Sequence, residues 1–185
     1  AQASEAKVWR DLFEPGDAWW RSGDLLRRDR DGYFTFVERQ GDGYRWKGEN
    51  VSGSEVEQAL AETGLVREAV VYGVHLPGGE GAGMASLVPR VEGTVPDLEL
   101  LLEELRRRLA PHAIPCLLRV RQELHPTTST LKFARAALSR EGLAHAGNGD
   151  HFVLLESGYV PLTRERLEEL ARGRLRVGAR VKTSK

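Results

Sequence analysis

The sequence predicts a protein of the α+β class, a small two-layer α/β sandwich preceded by a separate β-hairpin. Residues 43–141 alternate between helix and strand patterns, which is typical of such a sandwich. Residues 1–38 instead contain a lone hairpin with clustered aromatic side chains, and a two-stranded hairpin is only marginally stable alone. We therefore expect two parts, residues 1–38 and residues 39–185, the first belonging to a larger neighbouring domain.

Two hairpins are predicted from their turns. The β-prone runs 19–27 and 33–37 flank Asp31 and Gly32, and Asp-Gly between such runs is a strong hairpin signal. A second, shorter hairpin is predicted over residues 42–51.

The remaining elements follow from periodicity and capping residues. Ser52 begins a helix, because Glu55 completes a capping box, and Gly64 ends that helix. A helix beginning at Pro96–Asp97 shows a leucine stripe at helical spacing. The further predictions are strands at 68–74, 84–91 and 117–120, helices at 133–141 and 164–171, and a linker at 142–149.

Composition limits the possible functions. The 185 residues carry 27 basic and 27 acidic side chains, and this balance argues against a general nucleic-acid binder. No apolar run approaches the roughly 20 residues that span a bilayer. Cys116 is the single cysteine, which excludes an internal disulfide framework, and we expect it to be buried. A cytoplasmic protein fits these observations.

Two residues suit a nucleotide. Asp24 follows Gly23 at a strand mouth, where its carboxylate can accept hydrogen bonds from the two hydroxyls of a ribose. Arg39 can donate two hydrogen bonds to a phosphate or ribose oxygen. Taken alone, a turn-forming Asp and a surface salt bridge remain the simpler interpretations.

The tract after Arg39 combines a flexible joint with a cationic aromatic loop. Gly41, followed by Asp42, leaves the backbone free to change its dihedral angles, as a hinge requires. Arg45, Trp46, Lys47 and Gly48 then form a loop suited to an anionic ligand. An ordinary turn is the alternative at the joint.

Lys132 ends a hydroxyl-rich segment, residues 126–132, just before a predicted helix. Such a lysine can neutralise charge that develops on a transferring phosphoryl or carboxylate oxygen. A Ser/Thr helix start with a solvated lysine is the local alternative. Residues 79–83 are rich in glycine but lack the lysine of a phosphate-binding loop, and the five histidines show no metal-ligand spacing.

Together and in this order, these motifs resemble the C-terminal part of adenylate-forming acyl-CoA synthetases. The residues that carry the resemblance are the SGDL tract at 22–25, DGYF at 31–34, Arg39, WKGENV at 46–51 and Lys132. The similarity is to the fatty acid transport protein and very-long-chain acyl-CoA synthetase branch. Residues 141–142 and 159–162 also look like that branch.

The resemblance implies a fatty acyl-CoA ligase that uses ATP, CoA and Mg²⁺, with an acyl-adenylate intermediate and AMP as a product. It assigns Asp24 and Arg39 to the nucleotide and Lys132 to adenylation. It places a hinge at Gly41 or Asp42. Fatty acid and CoA would be the substrates, bound without nucleic acid or a transmembrane segment, and membrane association of the full-length protein stays open.

The resemblance also implies that the loop of Arg45, Trp46, Lys47 and Gly48 would line the CoA channel. Residues 1–38 would end the N-terminal adenylation domain, and residues 39–185 would be the mobile C-terminal domain with an extension. That large N-terminal domain, which binds most of the ATP and Mg²⁺, is the expected partner, so we expect the chain alone to be inactive. Two departures, Ser129 for Gly and Leu131 for Phe, affect the lysine motif. A non-catalytic binding module that keeps the fold is the alternative.

Overall fold

A computed structural model describes residues 8–39, 43–77, 81–125 and 135–178. The chain divides into two compact units, Ala1–Gly41 and Asp42–Lys185. Each unit is described by itself below.

The first unit consists of two small antiparallel sheets. Strand β1 (Val8–Arg10) pairs with β2 (Ala18–Trp20), and β3 (Asp24–Arg28) pairs with β4 (Phe34–Arg39). The predicted strand 19–27 is therefore wrong as one element. Gly23, with φ of +82°, interrupts it in a conformation that other residues rarely adopt.

Asp17 fixes the turn between β1 and β2. Its carboxylate accepts hydrogen bonds from the backbone N–H of Leu12 and Phe13, at 2.8 and 3.0 Å, and from the Trp19 indole at 2.7 Å. The Phe13 and Trp19 rings pack edge to face with their centroids 5.3 Å apart. The cluster of aromatic side chains was predicted from the sequence, whereas the turn that Asp17 fixes was not.

The second unit is a mixed five-stranded sheet with helices and one hairpin. Its strands are β5 (Tyr44–Trp46), β6 (Glu49–Val51), β7 (Val66–His75), β8 (Gly81–Pro89), β9 (Leu117–Val120), β10 (His151–Leu155) and β11 (Gly158–Pro161). The sheet order is β11-β10-β9-β8-β7, with β8 and β9 parallel and the other neighbours antiparallel. Strands β5 and β6 form the second predicted hairpin. The α+β class is confirmed.

The first two helices begin where their capping residues predict, and the predicted start of the third helix, at residue 133, lies outside the described residues. They are α1 (Gly53–Glu62), α2 (Leu98–Arg108), α3 (Arg135–Glu141) and α4 (Arg164–Ala171). The Ser52 hydroxyl accepts a hydrogen bond from the Glu55 N–H, and the Asp97 carboxylate accepts two from the first turn of α2. Within the described ranges, no helix has both the length and the apolar character that a membrane crossing needs.

The hairpin of β10 and β11 was missed by sequence analysis. Residues 142–149, interpreted as a linker, are turns that lead directly into β10. β10 is buried on both faces, since four successive residues from His151 are buried, so its sequence lacks the alternation of a half-exposed strand. His151 Nδ1 lies 2.6 Å from Asp150 Oδ1, and Arg119 of β9 contacts Glu141 of α3 at 2.8 Å. The C-terminal extension is thus part of the sheet.

Tyr44 fastens the short hairpin to the large sheet. Gly73 and Gly83 are cross-strand partners in β7 and β8; the Tyr44 ring lies over Gly83, and Tyr44 Cβ lies over Gly73. A Cβ at Gly83 would be only 2.1 Å from Tyr44 Cζ, and one at Gly73 would be 3.0 Å from Tyr44 Cβ. The Tyr44 hydroxyl donates to the Ala113 carbonyl at 3.1 Å. Gly83, the last glycine of the glycine-rich segment 79–83, therefore lies within β8 and leaves room for the Tyr44 ring.

We predict that Gly83→Ala lowers the free energy of unfolding by about 1–3 kcal/mol, because the added methyl group overpacks the Tyr44 seat. Urea unfolding followed by tryptophan fluorescence measures the change. The control is Gly83→Ala in a Tyr44→Ala background. Because the clash with the ring is absent there, Gly83→Ala should not lower the free energy of unfolding any further. An equal loss of unfolding free energy in both backgrounds would contradict the packing of Tyr44 against Gly83.

Candidate functional site

Asp24 and Arg39 face each other across the β3–β4 ladder. They are Cα partners at the first residue of β3 and the last of β4. Paired residues on antiparallel strands lie about 4.5–5.5 Å apart at Cα. The Ser22 hydroxyl accepts a hydrogen bond from the Asp24 N–H at 3.1 Å, which fixes the entry to β3. The two residues assigned to a nucleotide therefore occupy one place in the first unit.

A concave hollow of about 360 Å³ adjoins Asp24. Aromatic side chains line it together with a few polar groups, as is common in sites for small molecules. The lining residues are Trp9, Leu12, Trp19, Trp20, Arg21, Ser22, Gly23 and Asp24. Arg21 also stacks its guanidinium over the Trp9 ring at 5.5 Å.

The loop of the second unit is a tight hairpin turn. Lys47 and Gly48 both have positive φ, +50° and +88°. Positive φ at both central residues is what the type I′ turn of a two-residue hairpin loop requires. Arg45 Nε donates to the Gly48 carbonyl at 3.2 Å, and Lys47 Nζ lies 5.1 Å from the Trp46 ring centre. Arg45 and Lys47 are exposed. The cationic character of the loop is therefore on its surface.

Trp46 is not part of that exposed surface. It is only 4% exposed and packs in the core of the unit. Gly178 lies against it, so that a Cβ there would be 3.3 Å from Trp46 Cζ2 and 3.6 Å from Cys116 Sγ. The Gly178 N–H donates to the Leu154 carbonyl at 2.9 Å. The C-terminal segment thus holds Trp46 in place, and Cys116 is buried as predicted.

Two of the predicted functional elements lie outside the described residues. These are the hinge at Gly41 and Asp42, and Lys132 in the segment 126–134. The residues on either side of that segment, His125 and Arg135, are described.

His125 is held by a carboxylate of the sheet. Glu68 of β7 accepts a hydrogen bond from the His125 N–H at 2.6 Å and lies 2.5 Å from His125 Nδ1. The His125 side chain is fully buried, so the carboxylate satisfies a polar group that water does not reach. Glu68 and His125 are 57 positions apart in the sequence, and no local pattern links them.

Arg135 is held by a carboxylate of the first helix. Both oxygens of Glu57 contact Arg135 Nη2, at 2.8 and 2.7 Å, and both side chains are less than a fifth exposed. Glu57 also accepts the outward-facing N–H of Val71 in the edge strand β7 at 2.8 Å. Ser139 of α3 donates to the Gly73 carbonyl on that edge at 2.5 Å. Sequence analysis missed all of these contacts.

The histidines and carboxylates do not form a metal centre in the part of the chain that is described, where no three or more His, Cys, Asp or Glu side chains are grouped to hold an ion. Mg²⁺ would therefore need ligands from elsewhere. Asp24 lines the hollow as a single carboxylate. A single carboxylate is better suited to accept hydrogen bonds from ribose hydroxyls than to form a metal site, which needs several oxygen ligands.

Comparison with known proteins shows where this architecture recurs. Residues 55–131 match the family described as the AMP-binding enzyme C-terminal domain. Human long-chain fatty acid transport protein 3 is 38% identical over 180 residues, which cover 95% of this chain. The chain carries an AMP-binding enzyme C-terminal domain. It spans 26% of the length of that human relative.

Other relatives of this domain are also similar along most of the chain. The medium/long-chain-fatty-acid–CoA ligase FadD6 of Mycobacterium tuberculosis is 38% identical over 175 residues, covering 93% of this chain and 29% of that protein. Isopenicillin N epimerase component 1 of Hapsidospora chrysogena is 38% identical over 177 residues, covering 88% and 29%. The predicted family is confirmed.

Solved structures agree with the fold of this domain. The o-succinylbenzoate CoA synthetase of Bacillus subtilis, in complex with its acyl-adenylate intermediate, has a TM-score of 0.58 at 27% identity, covering 75% of this chain and 26% of that one. The amide bond synthetase McbA of Marinactinospora thermotolerans has a TM-score of 0.56 at 29% identity, covering 71% and 27%. These similarities show the fold of the C-terminal domain of adenylate-forming enzymes.

The stability of this AMP-binding enzyme C-terminal domain should fall as the pH drops below about 6.5, the ordinary histidine value. Burial lowers the pKa of His125 and of His151, although Glu68 and Asp150 oppose the shift. As the pH falls, the unfolded chain therefore binds protons at a higher pH than the folded chain does. The free energy of unfolding decreases until the pH lies below the lowered pKa values of the folded chain.

Urea unfolding between pH 8 and pH 5 measures this dependence. The curve should be flat from pH 8 to about 7 as far as these two histidines contribute, and should decline below about 6.5. His151→Gln should make the decline shallower. A decline equally steep in that variant would exclude His151 as a contributor.

Proposed function

We propose that this chain forms the C-terminal part of a fatty acyl-CoA ligase. The reaction joins ATP, a fatty acid and CoA to give acyl-CoA, AMP and pyrophosphate through an acyl-adenylate. The observation that carries the proposal is the pairing of Asp24 with Arg39 at one end of the β3–β4 ladder. The names of the transport-protein and FadD6 relatives support a fatty acyl substrate.

In the first half-reaction, a carboxylate oxygen of the fatty acid attacks the α-phosphorus of ATP. The new oxygen–phosphorus bond gives the acyl-adenylate, and the broken bond releases pyrophosphate. Asp24 would accept hydrogen bonds from the ribose hydroxyls, and Arg39 would contact the nucleotide. Lys132 would stabilise the charge that grows on the transferring group. Mg²⁺, bound mainly through the N-terminal adenylation domain, would supply charge neutralisation on the phosphates.

In the second half-reaction, the CoA thiol attacks the acyl carbon, and AMP leaves with the former carboxylate oxygen. The turn formed by Lys47 and Gly48 would then line the channel for the pantetheine arm. Its tight geometry and the missing side chain at Gly48 leave room for a narrow ligand, and the exposed Arg45 and Lys47 suit its phosphates.

The B. subtilis o-succinylbenzoate CoA synthetase has been solved with AMP and with ATP and magnesium. Those ligands belong to that enzyme. Since it shares the fold of this domain at 27–28% identity, it supports ATP, AMP and Mg²⁺ as ligands of the full-length protein proposed here.

Lys132→Ala in the full-length protein should lower the rate of acyl-adenylate formation by about 100–1000-fold, because one charge-stabilising donor is lost. Acyl-CoA formation from supplied acyl-adenylate should change little. Radiolabelled pyrophosphate exchange measures the first step, and thioester formation from acyl-adenylate measures the second. Equal loss in both steps would refute the assigned role. An absence of both activities in the unaltered protein would favour the non-catalytic binding module.

Gly48→Leu should have the opposite profile, a lower rate of the thioester step with adenylation retained, because the new side chain would enter the channel. Gly93→Leu is the matched control. Its φ of +76° imposes similar backbone strain, and no described atom lies within 4 Å of a Cβ at either glycine. If both variants lose the same activity, backbone strain rather than channel blockage explains the effect.

Gly41→Pro tests the proposed hinge. Proline fixes φ near −65° and should hinder the change of conformation between the two steps. One half-reaction measured separately should stay close to normal, while the half-reaction that needs the other conformation, and with it turnover from fatty acid to acyl-CoA, should fall. Unchanged coupled turnover would place the hinge elsewhere, with Asp42 the next position to test.

A further inference from the structure

The turn of Lys47 and Gly48 belongs to a hairpin that is too short to hold its own direction. Strands β5 and β6 have three residues each, and a two-stranded hairpin is only marginally stable alone. Two side chains of β5, Tyr44 and Trp46, are buried, whereas Arg45 between them is exposed. The direction of the turn is therefore set by the groups against which these two side chains pack.

Trp46 is the buried side chain nearest to the turn. Tyr44 packs at the start of β5, whereas Trp46 directly precedes Lys47. Trp46 lies against Gly178, where a Cβ would be 3.3 Å from Trp46 Cζ2 and 3.6 Å from Trp46 Nε1. The missing side chain at Gly178 lets the backbone approach the indole this closely. A larger residue at position 178 would have to displace the indole or move away from it.

Gly178 is itself fixed to the large sheet by a series of backbone hydrogen bonds. Its N–H donates to the Leu154 carbonyl at 2.9 Å, and the Leu154 N–H donates to the Cys116 carbonyl at 2.9 Å. The Cys116 N–H in turn donates to the Gly83 carbonyl at 3.0 Å. Gly83 is the glycine that lies under the Tyr44 ring. The series therefore joins Gly178 to the strand on which the hairpin packs.

The loop before β9 forms a second connection between the hairpin and the C-terminal part of the sheet. The Tyr44 hydroxyl donates to the Ala113 carbonyl at 3.1 Å, and the Tyr159 hydroxyl of β11 donates to the Pro115 carbonyl at 2.6 Å. Burial raises the pKa of both hydroxyls, so each stays protonated and can donate. The hairpin and β11 thus hold the same short stretch of chain.

We propose that Gly178 is a positioning residue for the thioester step, acting through Trp46 on the turn of Lys47 and Gly48. This inference rests on the function proposed above, in which that turn lines the channel for CoA. Gly178 need not touch CoA. Its effect is to keep one wall of the channel in place, so that less conformational freedom is lost when CoA binds.

The test is a graded series at two glycines in the full-length protein. Gly178→Ala and Gly178→Leu add side chains of increasing size beside Trp46. Gly173→Ala and Gly173→Leu are the matched controls, because Gly173 also has a positive φ, +67° against +100°, and no described atom lies within 4 Å of a Cβ there. The controls therefore carry a comparable backbone strain without the clash. Gly178→Ala, the smaller change, keeps the comparison valid where Gly178→Leu prevents folding.

We expect kcat/KM for CoA, in thioester formation from supplied acyl-adenylate, to fall by about 3–10-fold in Gly178→Ala and by about 10–100-fold in Gly178→Leu, mainly through a higher KM. Acyl-adenylate formation should stay within about twofold in Gly178→Ala, as should both steps in the Gly173 controls. A purely structural role of Gly178 would reduce the amount of folded enzyme and lower both steps equally, with KM unchanged. Such equal losses, or equal losses in the Gly173 controls, would overturn the proposal.

Trp46→Phe tests whether Gly178 acts through the indole. This substitution removes the Cζ2 atom that a side chain at position 178 would contact. In that background, Gly178→Ala should raise the KM for CoA by less than it does in the unaltered protein, and the difference measures the coupling between the two positions. An equal effect in both backgrounds would overturn the proposal.

Hydrogen exchange separates this inference from the proposed function. Amides of residues 46–49 should exchange faster in Gly178→Ala than in Gly173→Ala, whatever reaction the protein catalyses. If the unaltered protein forms no acyl-CoA, faster exchange would retain the control of the turn by Gly178 and overturn only the function. Unchanged exchange overturns the control of the turn itself.

Discussion

The seat of Tyr44 on Gly73 and Gly83 is the contact on which the second unit depends. Two glycines that face each other across β7 and β8 leave a gap in one face of the sheet, and the aromatic ring fills it. Interiors are close-packed, so a gap of this shape accepts a planar ring and little else. The seat fixes the β5–β6 hairpin, and with it the direction of the turn at Lys47 and Gly48. Burial raises the pKa of Tyr44, so its hydroxyl stays protonated and donates to Ala113.

Strand β7 also takes part in contacts of a different kind. The hairpin is attached through apolar packing on a sheet face, whereas His125 and Arg135 are held by the carboxylates of Glu68 in β7 and of Glu57 in α1. Glu57 also accepts the N–H of Val71 in β7. Removing one member of a buried ion pair is destabilising, because it leaves an uncompensated charge. Glu57 therefore joins α1 and the start of α3 to the sheet edge.

Much of this fold could be predicted because its signals are local. Ser52 and Asp97 mark helix starts within three residues, and the leucine stripe of α2 follows from its period. The contacts of Glu68 with His125 and of Glu57 with Arg135 could not be predicted, since no local pattern relates these residues. Trp46 was read as part of an exposed loop because its flanking charges are exposed, yet the alternation of a strand turns it inward. The Asp24–Arg39 pair was recognisable from chemistry, and only the strand register brought its members together.

The arrangement also bears on how two half-reactions could share one domain. The turn proposed for CoA is fixed through Tyr44 to β7 and β8, and His125, which precedes the segment that contains Lys132, is fixed to Glu68 of β7. A packed sheet does not deform to exchange one of these loops for the other. If both loops serve one reaction centre, they must do so in turn, through rotation of the unit as a whole. Such a rotation needs a joint outside the sheet, and the chain divides into its two units between Gly41 and Asp42. The packing of Tyr44 against Gly73 and Gly83 therefore supports the proposal of a hinge at that joint.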